Sequence, residues 1–214
     1  MDTKFRNIIS KAFEKIYYYL SYSLIYIVSL VMGLGFLTFA GANVMLFDLH
    51  EKIEHERYKE KIRIFKFFKE NIINYCLKYL KISILYMTLI LILAVDIFYF
   101  STSISPLFTA MFYLNIIMTF VLVNAMAISF YLMAKYPEMK FKEVAKNSIS
   151  LTIVHLVDVL VLNVFLIVVA YLLSKISGIL LILILPGIAI SLSYRFYAKM
   201  LDKKSLTYLL FNIK

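Results

Sequence analysis

This sequence carries little charge and only one cysteine, and each shortage excludes something. Charged residues make up 17% of its 214 positions and hydrophobic ones 63%, with a mean hydropathy of +0.85. A soluble domain is nearer half apolar and a quarter charged. The polar residues are too few to coat a globule of this size, so lipid is the expected outer solvent. Cys76 stands alone, which excludes an internal disulfide and a zinc site built on cysteines. There are only three histidines, and no HExxH, GxSxG or P-loop pattern occurs. No Ser–His pair, opposed aspartates or zinc motif marks an intramembrane protease. The chain therefore reads as a non-enzyme, with no catalytic residue, no metal site and no cofactor expected.

The positive charge that is present is unevenly placed. A net charge of +10 on a soluble protein points to nucleic acid; here it fits loops facing an anionic inner leaflet, and no nucleic-acid partner is expected. Lys and Arg number 4 in residues 1–15, 9 in 48–81, none in 101–105, 4 in 135–150, 1 in 174–175 and 5 in 195–214. Between these clusters run long apolar stretches: Ile16–Leu34, Ile82–Phe100, Pro106–Ala134, Leu151–Leu173 and Ile176–Tyr194. Each approaches the roughly 20 residues that a membrane-crossing helix needs. The first is too long for a secretory signal core of about 7–15 residues and reads as an uncleaved helix, despite the small triplet Ala40-Gly41-Ala42.

A shorter apolar piece, Phe36–Phe47, follows Gly33-Leu34-Gly35. Twelve helical residues rise about 18 Å, less than a hydrocarbon core of about 30 Å. The basic segments on either side both belong in the cytoplasm, so an even number of crossings must separate them. The piece is thus either the returning arm of a hairpin or a re-entrant half-helix. The expected fold is all-α: a polytopic transmembrane helix bundle of about six spans in three hairpins, the second span short or re-entrant. Both termini face the cytoplasm. Its parts are an interfacial helix (1–15), a first hairpin (16–47), a basic loop (48–81), a second hairpin (82–134), a basic loop (135–150), a third hairpin (151–194) and a tail (195–214), all in one domain.

The basic segments carry apolar stripes at helical spacing, the pattern of amphipathic helices on the inner leaflet. Phe5, Ile8, Ile9, Phe13 and Ile16 form one. Ile62, Phe65, Phe68, Ile72 and Cys76 form a second, and Phe141, Val144, Ser148 and Ile149 a third. Ile62, Phe65, Phe68, Ile72, Phe141 and Val144 are the candidate docking face for a partner; the alternative is that the stripes only anchor the bundle. The second and third stripes look like copies, because Phe65, Lys66, Asn71 and Ile73 recur at one constant offset as Phe141, Lys142, Asn147 and Ile149. That is a parallel internal repeat.

Polar groups within spans are costly and mark candidate sites. Asp96 lies near the outer end of its span, where interfacial water is in reach. His155 and Asp158 share a helix face with Asn163 beyond them, an arrangement suited to a proton relay or to a structural hydrogen bond. Asn115 and Asn124 offer amide glue across the bundle. His50 and His55, among Glu51, Glu54 and Glu56, read as a solvated helix face. Pro186-Gly187 predicts a kink, serving either as a hinge or for packing.

The order of pieces resembles a known family. LGFLTFAGANVMLF (34–47) follows a basic start, FKFFKEN (65–71) leads into two spans, and YPEMKFKEVAKNS (136–148) leads into two more. Over roughly residues 10–200 the chain is similar to the YesL-like, or DUF624, family of bacterial multi-pass membrane proteins. It departs from that pattern near Ala42-Asn43, where members usually carry a proline. The resemblance implies a bacterial plasma membrane and an accessory role beside carbohydrate ABC importer subunits. The family has no established biochemical activity. From the residues alone, two readings stand: a non-catalytic accessory or regulatory partner of a membrane transport system, or a small oligomeric transporter or channel lined by the intramembrane polar groups. An ABC permease itself is disfavoured, because neither 61–71 nor 140–150 has the glycine of its cytoplasmic loop.

Overall fold

A computed structural model describes residues 3–33, 35–55, 64–102 and 105–202. Eight α-helices, and no strand, occur among them: α1 (Thr3–Met32), α2 (Phe39–His55), α3 (Ile64–Lys78), α4 (Leu80–Ser101), α5 (Pro106–Lys135), α6 (Phe141–Val154), α7 (Leu156–Ile176) and α8 (Gly178–Leu201). Five are long and apolar enough to cross a membrane: Ala12–Met32 of α1, and α4, α5, α7 and α8. The lipid-directed character is plain in α4 and α7, where Val95, Phe98, Val164 and Ile167 are more than half exposed. In water such a surface would be an aggregation site; in a bilayer it is the expected exterior.

Two boundaries differ from the sequence expectation. Residues 3–32 form one uninterrupted helix, not an interfacial helix followed by a span. The apolar run that starts at Leu151 is divided, because α6 continues to Val154 and the membrane-length helix starts only at Leu156. Hydropathy cannot report that division, since both sides of the bend are apolar.

α2 is the short second arm. It has 17 residues, starts at Phe39, and ends among Glu51, Lys52 and Glu54. Protein surrounds it: Ala40, Ala42, Val44, Met45, Leu46 and Leu49 are wholly buried among α1, α3, α4, α5 and α8. Its start is fixed by polar contacts. The Ala40 amide, one of the orphan donors of a helix N-terminus, donates to Ser83 Oγ (2.9 Å), and the Thr38 hydroxyl donates to Ser29 O (2.7 Å). Ser83 is in the first turn of α4, and Phe39 stacks edge-on against Phe130 near the end of α5 (5.5 Å). The α1–α2 turn therefore lies beside the beginning of α4. It is about a helix length from the turn that joins α4 to α5.

Between helices in lipid there is little hydrophobic drive, so close contact and hydrogen bonds decide packing. Two glycines make that contact possible. A Cβ on Gly41 would stand 2.8 Å from Cys76 Cα and from Tyr75 O, so α2 and α3 touch backbone to backbone. A Cβ on Gly187 would stand 2.7 Å from Tyr19 Cα, which marks the crossing of α1 and α8. Pro186, just before it, lies inside the continuous α8, and the Gly187 amide donates to Ser23 Oγ (2.9 Å). Pro186-Gly187 is thus a packing device at a helix crossing.

α3 and α4 are one helical run bent at Tyr79 (φ −103°, ψ 12°), and α6 and α7 are another bent at His155 (φ −102°, ψ 34°). The hydrogen bonding across each bend is the same. Tyr79 N donates to Tyr75 O and Ser83 N to Tyr79 O; His155 N donates to Leu151 O and Val159 N to His155 O. The offset from Tyr79 to His155 is that from Phe65 to Phe141, so the bends fall in register with the sequence repeat. A shorter echo joins the first hairpin to this pattern: Tyr-Leu-x-x-Ser-x-x-Tyr occurs at 19–26 and again at 79–86. Both serines accept an amide from another hairpin, Ser23 from Gly187 and Ser83 from Ala40. Both tyrosines bond to the second arm of their own hairpin, Tyr26 to Asn43 and Tyr86 to Ser129.

Candidate functional site

The intramembrane polar residues do not converge. His155 and Asp158 are almost wholly buried at the α6–α7 bend, with Nδ1 3.3 Å from Oδ2. The bend places the His155 ring outside regular helix, and Asp158 stands in the first turn of α7, where a carboxylate suits the helix dipole. Asn124 and Asn163 form a second pair further along the spans. Asn163 Nδ2 donates to Asn124 Oδ1 (2.7 Å) and to Val159 O, while Asn124 Nδ2 donates to Phe120 O. Asn115 is not part of it. Its amide turns back to Met111 O on its own helix (3.1 Å). Asp96, in the last turns of α4, is partly exposed and distant from both pairs.

The docking-face residues also part company. Ile62 lies outside the described residues. Phe65 is half exposed on α3, and Phe68 is partly buried. Ile72 and Val144 turn inward and are buried in the bundle core, and Phe141 packs beside Tyr86 (6.1 Å). Ile72 and Val144 therefore correct the expected face: at helical spacing they are the inner stripe that holds α3 and α6 to the bundle. The outer side of α3 instead exposes Phe65, Ile73 and Leu77 beside Lys66, Lys69 and Lys78.

His50 corrects the expectation of a solvated face. It is buried where α1, α2 and α8 meet, 3.1 Å from the Tyr22 hydroxyl through Nδ1 and edge-on to Tyr194 (4.8 Å). Glu54 lies 3.7 Å from its Nε2 and 3.7 Å from Arg195. Nearby on the same helix, Asp48 accepts from Lys52 (2.8 Å) and from the Tyr75 hydroxyl (2.7 Å). Burial, reinforced by the Asp48 carboxylate, pushes the Tyr75 hydroxyl well above its ordinary pKa, and burial pushes the Cys76 thiol up.

Where the three hairpins meet is a cavity of about 380 Å3. Each hairpin supplies one amide to its wall: Asn43 from α2, Asn124 from α5 and Asn163 from α7. Asn43 and its partner Tyr26 escaped the sequence reading. The signal was there, since an asparagine one turn from Phe39 in an otherwise apolar stretch has the same rarity as Asn124.

No protein-family model matches the chain, and no curated protein or solved structure shows significant similarity to it.

Proposed function

We propose that the protein is a non-catalytic accessory subunit of a membrane transport system, in the plasma membrane of a bacterium. The observation that carries this reading is the way the polar groups of the spans pair off. His155 is bonded to Asp158, Asn163 to Asn124, and Asn43 to Tyr26. A translocation path needs polar groups left open to a permeant, whereas His155 and Asp158, and the three asparagines on the central cavity wall, already bond within the protein. In the same reading the termini and the α2–α3 and α5–α6 connections face the cytoplasm, the first hairpin is re-entrant from that side, and α3 and α6 lie against the inner leaflet. The outer side of α3, with Phe65, Ile73 and Leu77 among lysines, is then the surface offered to a partner. The resemblance to YesL-like proteins makes carbohydrate ABC importer subunits the partner of choice.

The test is a pull-down of the tagged protein from native membranes in mild detergent. Stoichiometric recovery of one importer complex, lost in Phe65→Glu with Ile73→Glu while the protein stays inserted, supports the proposal. Recovery of a defined homo-oligomer alone defeats it. That outcome would favour the second reading, a small transporter, for which the buried His155–Asp158 pair is the specific support. Asp158→Asn would then abolish flux in a folded, inserted protein.

A further inference from the structure

The cavity among the three hairpins is lined by apolar side chains apart from a few amides and hydroxyls. Those polar groups are already engaged. Asn43 Nδ2 donates to Phe39 O and Asn43 also bonds Tyr26; Asn124 and Asn163 bond each other and their own helices; Tyr197 bonds Ser193. Water needs two to four free polar partners to be held in a protein interior, and apolar cavities stay dry. A volume of about 380 Å3 lies within the usual range of ligand pockets, about 300–1,000 Å3. Left empty, its walls would forgo many dispersion contacts.

The cavity also has a side entrance. Val123 on its wall is 47% exposed, and Ile90, Leu166 and Leu185 are partly exposed. Val123, Ile90 and Leu166 lie towards the middle of α5, α4 and α7, helices of membrane-crossing length. The opening therefore faces hydrocarbon at mid-depth, away from either aqueous side. A sugar or ion reaching it would have to shed its water in the bilayer core.

We infer that this cavity is a binding site for one hydrocarbon chain, which enters laterally from the bilayer past Val123. The chain belongs to a phospholipid or to an isoprenoid lipid. Walls drawn from all three hairpins let that chain contact α1, α2, α4, α5, α7 and α8 together, which a lipid on the outer surface cannot do.

Photolabelling of the full-length protein in native lipid particles tests this. Two probes are used in parallel: a phospholipid with a diazirine midway along its acyl chain, and a polyprenyl phosphate carrying a diazirine. Labelled sites are mapped by mass spectrometry. The expected result is labelling concentrated on the cavity wall, at Val123, Met126 and Leu166, and lost in Ala127→Phe, which fills the space. Labelling at outward Phe98 on α4 should stay unchanged. Which probe labels the wall, and which unlabelled lipid competes, tells the two sources apart. If Ala127→Phe does not yield folded protein by gel filtration, the milder Ala189→Leu serves the same purpose. Labelling that is uniform over the lipid-facing helices and indifferent to both fillings overturns the inference. So does a cross-link from Val123 to the helix of a co-purifying protein in place of lipid.

Discussion

The two bent runs, α3–α4 and α6–α7, solve one problem with different chemistry. Each turns a short amphipathic helix into a membrane-length one at a single residue, with identical backbone bonding. In the first run the bend holds Tyr79, and the next turns hold Ser83 and Tyr86, all buried and neutral. In the second the corresponding places hold His155, Val159 and Leu162, with Asp158 where the first run has Ile82. The first run ties itself to its neighbours by hydroxyl bonds, Ser83 to Ala40 and Tyr86 to Ser129. The second pairs His155 with Asp158 at the bend and, further along α7, ties itself to α5 through Asn163 and Asn124. The geometry does not need the pair, since the sister bend forms without one. His155 and Asp158 are thus either a replaceable local bond or retained for something the sister lacks.

The sharpest way to break the comparison is to remove one member of the pair and then transplant the sister's residues. Asp158→Leu leaves His155 buried without its carboxylate and should cost on the order of 3 kcal/mol, read as a lowered unfolding midpoint in detergent. His155→Tyr with Asp158→Ile copies residues 79 and 82 into the second run and should recover most of that loss. A double variant as unstable as the single would show that the pair serves more than the bend. The next effect runs the other way. Ser83→Ala strands the buried Ala40 amide and should cost about 1–3 kcal/mol, whereas Val159→Ala at the sister position strands no polar group and should lose about 1–3 kcal/mol by packing alone, a loss that Val159→Ile spares and that has no counterpart in a stranded amide. Tyr86→Phe is smaller again. Ser129 keeps its bond to Met126 O, so only a net hydrogen bond of about 0.5–1.5 kcal/mol is lost.

This contrast also explains what could be read in advance. Long apolar runs carry their own signature, so α4 and α5 fall within about two residues of the expected spans, while α8 runs on past Tyr194 to Leu201. The stripe of Phe65, Phe68 and Ile72 rightly announces a helix at α3. It cannot say which side faces the bundle, because in lipid both an inner and an outer face are apolar; Ile72 and Val144 turned inward for that reason. Asn115 and Asn124 both suit amide glue across the bundle, yet of the two Asn124 bonds to another helix, through Asn163 on α7, while Asn115 turns back to its own; that choice depends on how helices are rotated against each other. His50 looked solvated because its sequence neighbours are glutamates. Its burial comes from Tyr22 and Tyr194, which are distant in the chain. The bend at His155 left no mark beyond the repeat itself, whose constant offset carries Tyr79 onto His155.

The smallest expected effect concerns a place where the first run has an ionisable group and the second has none. Tyr75 donates to Asp48 and joins α3 to α2, and its counterpart in the second run is Leu151. Burial first, and the adjacent carboxylate second, raise the Tyr75 pKa above the ordinary value of about 10. In the unfolded chain the hydroxyl ionises near that ordinary value, while in the folded protein it keeps its proton. The folded state then binds more protons than the unfolded one from about pH 10 upward, and the linkage slope is negative there. The stability from the protonated Tyr75 bond is therefore full below about pH 10 and declines above it. Tyr75→Phe should lower the unfolding midpoint modestly at pH 8, and the gap from the parent protein should narrow as pH passes 10. A gap that stayed constant across that window would mean that the Tyr75 hydroxyl contributes nothing that depends on its proton, leaving the first run tied to α2 and α5, and the second to α5, by bonds indifferent to pH.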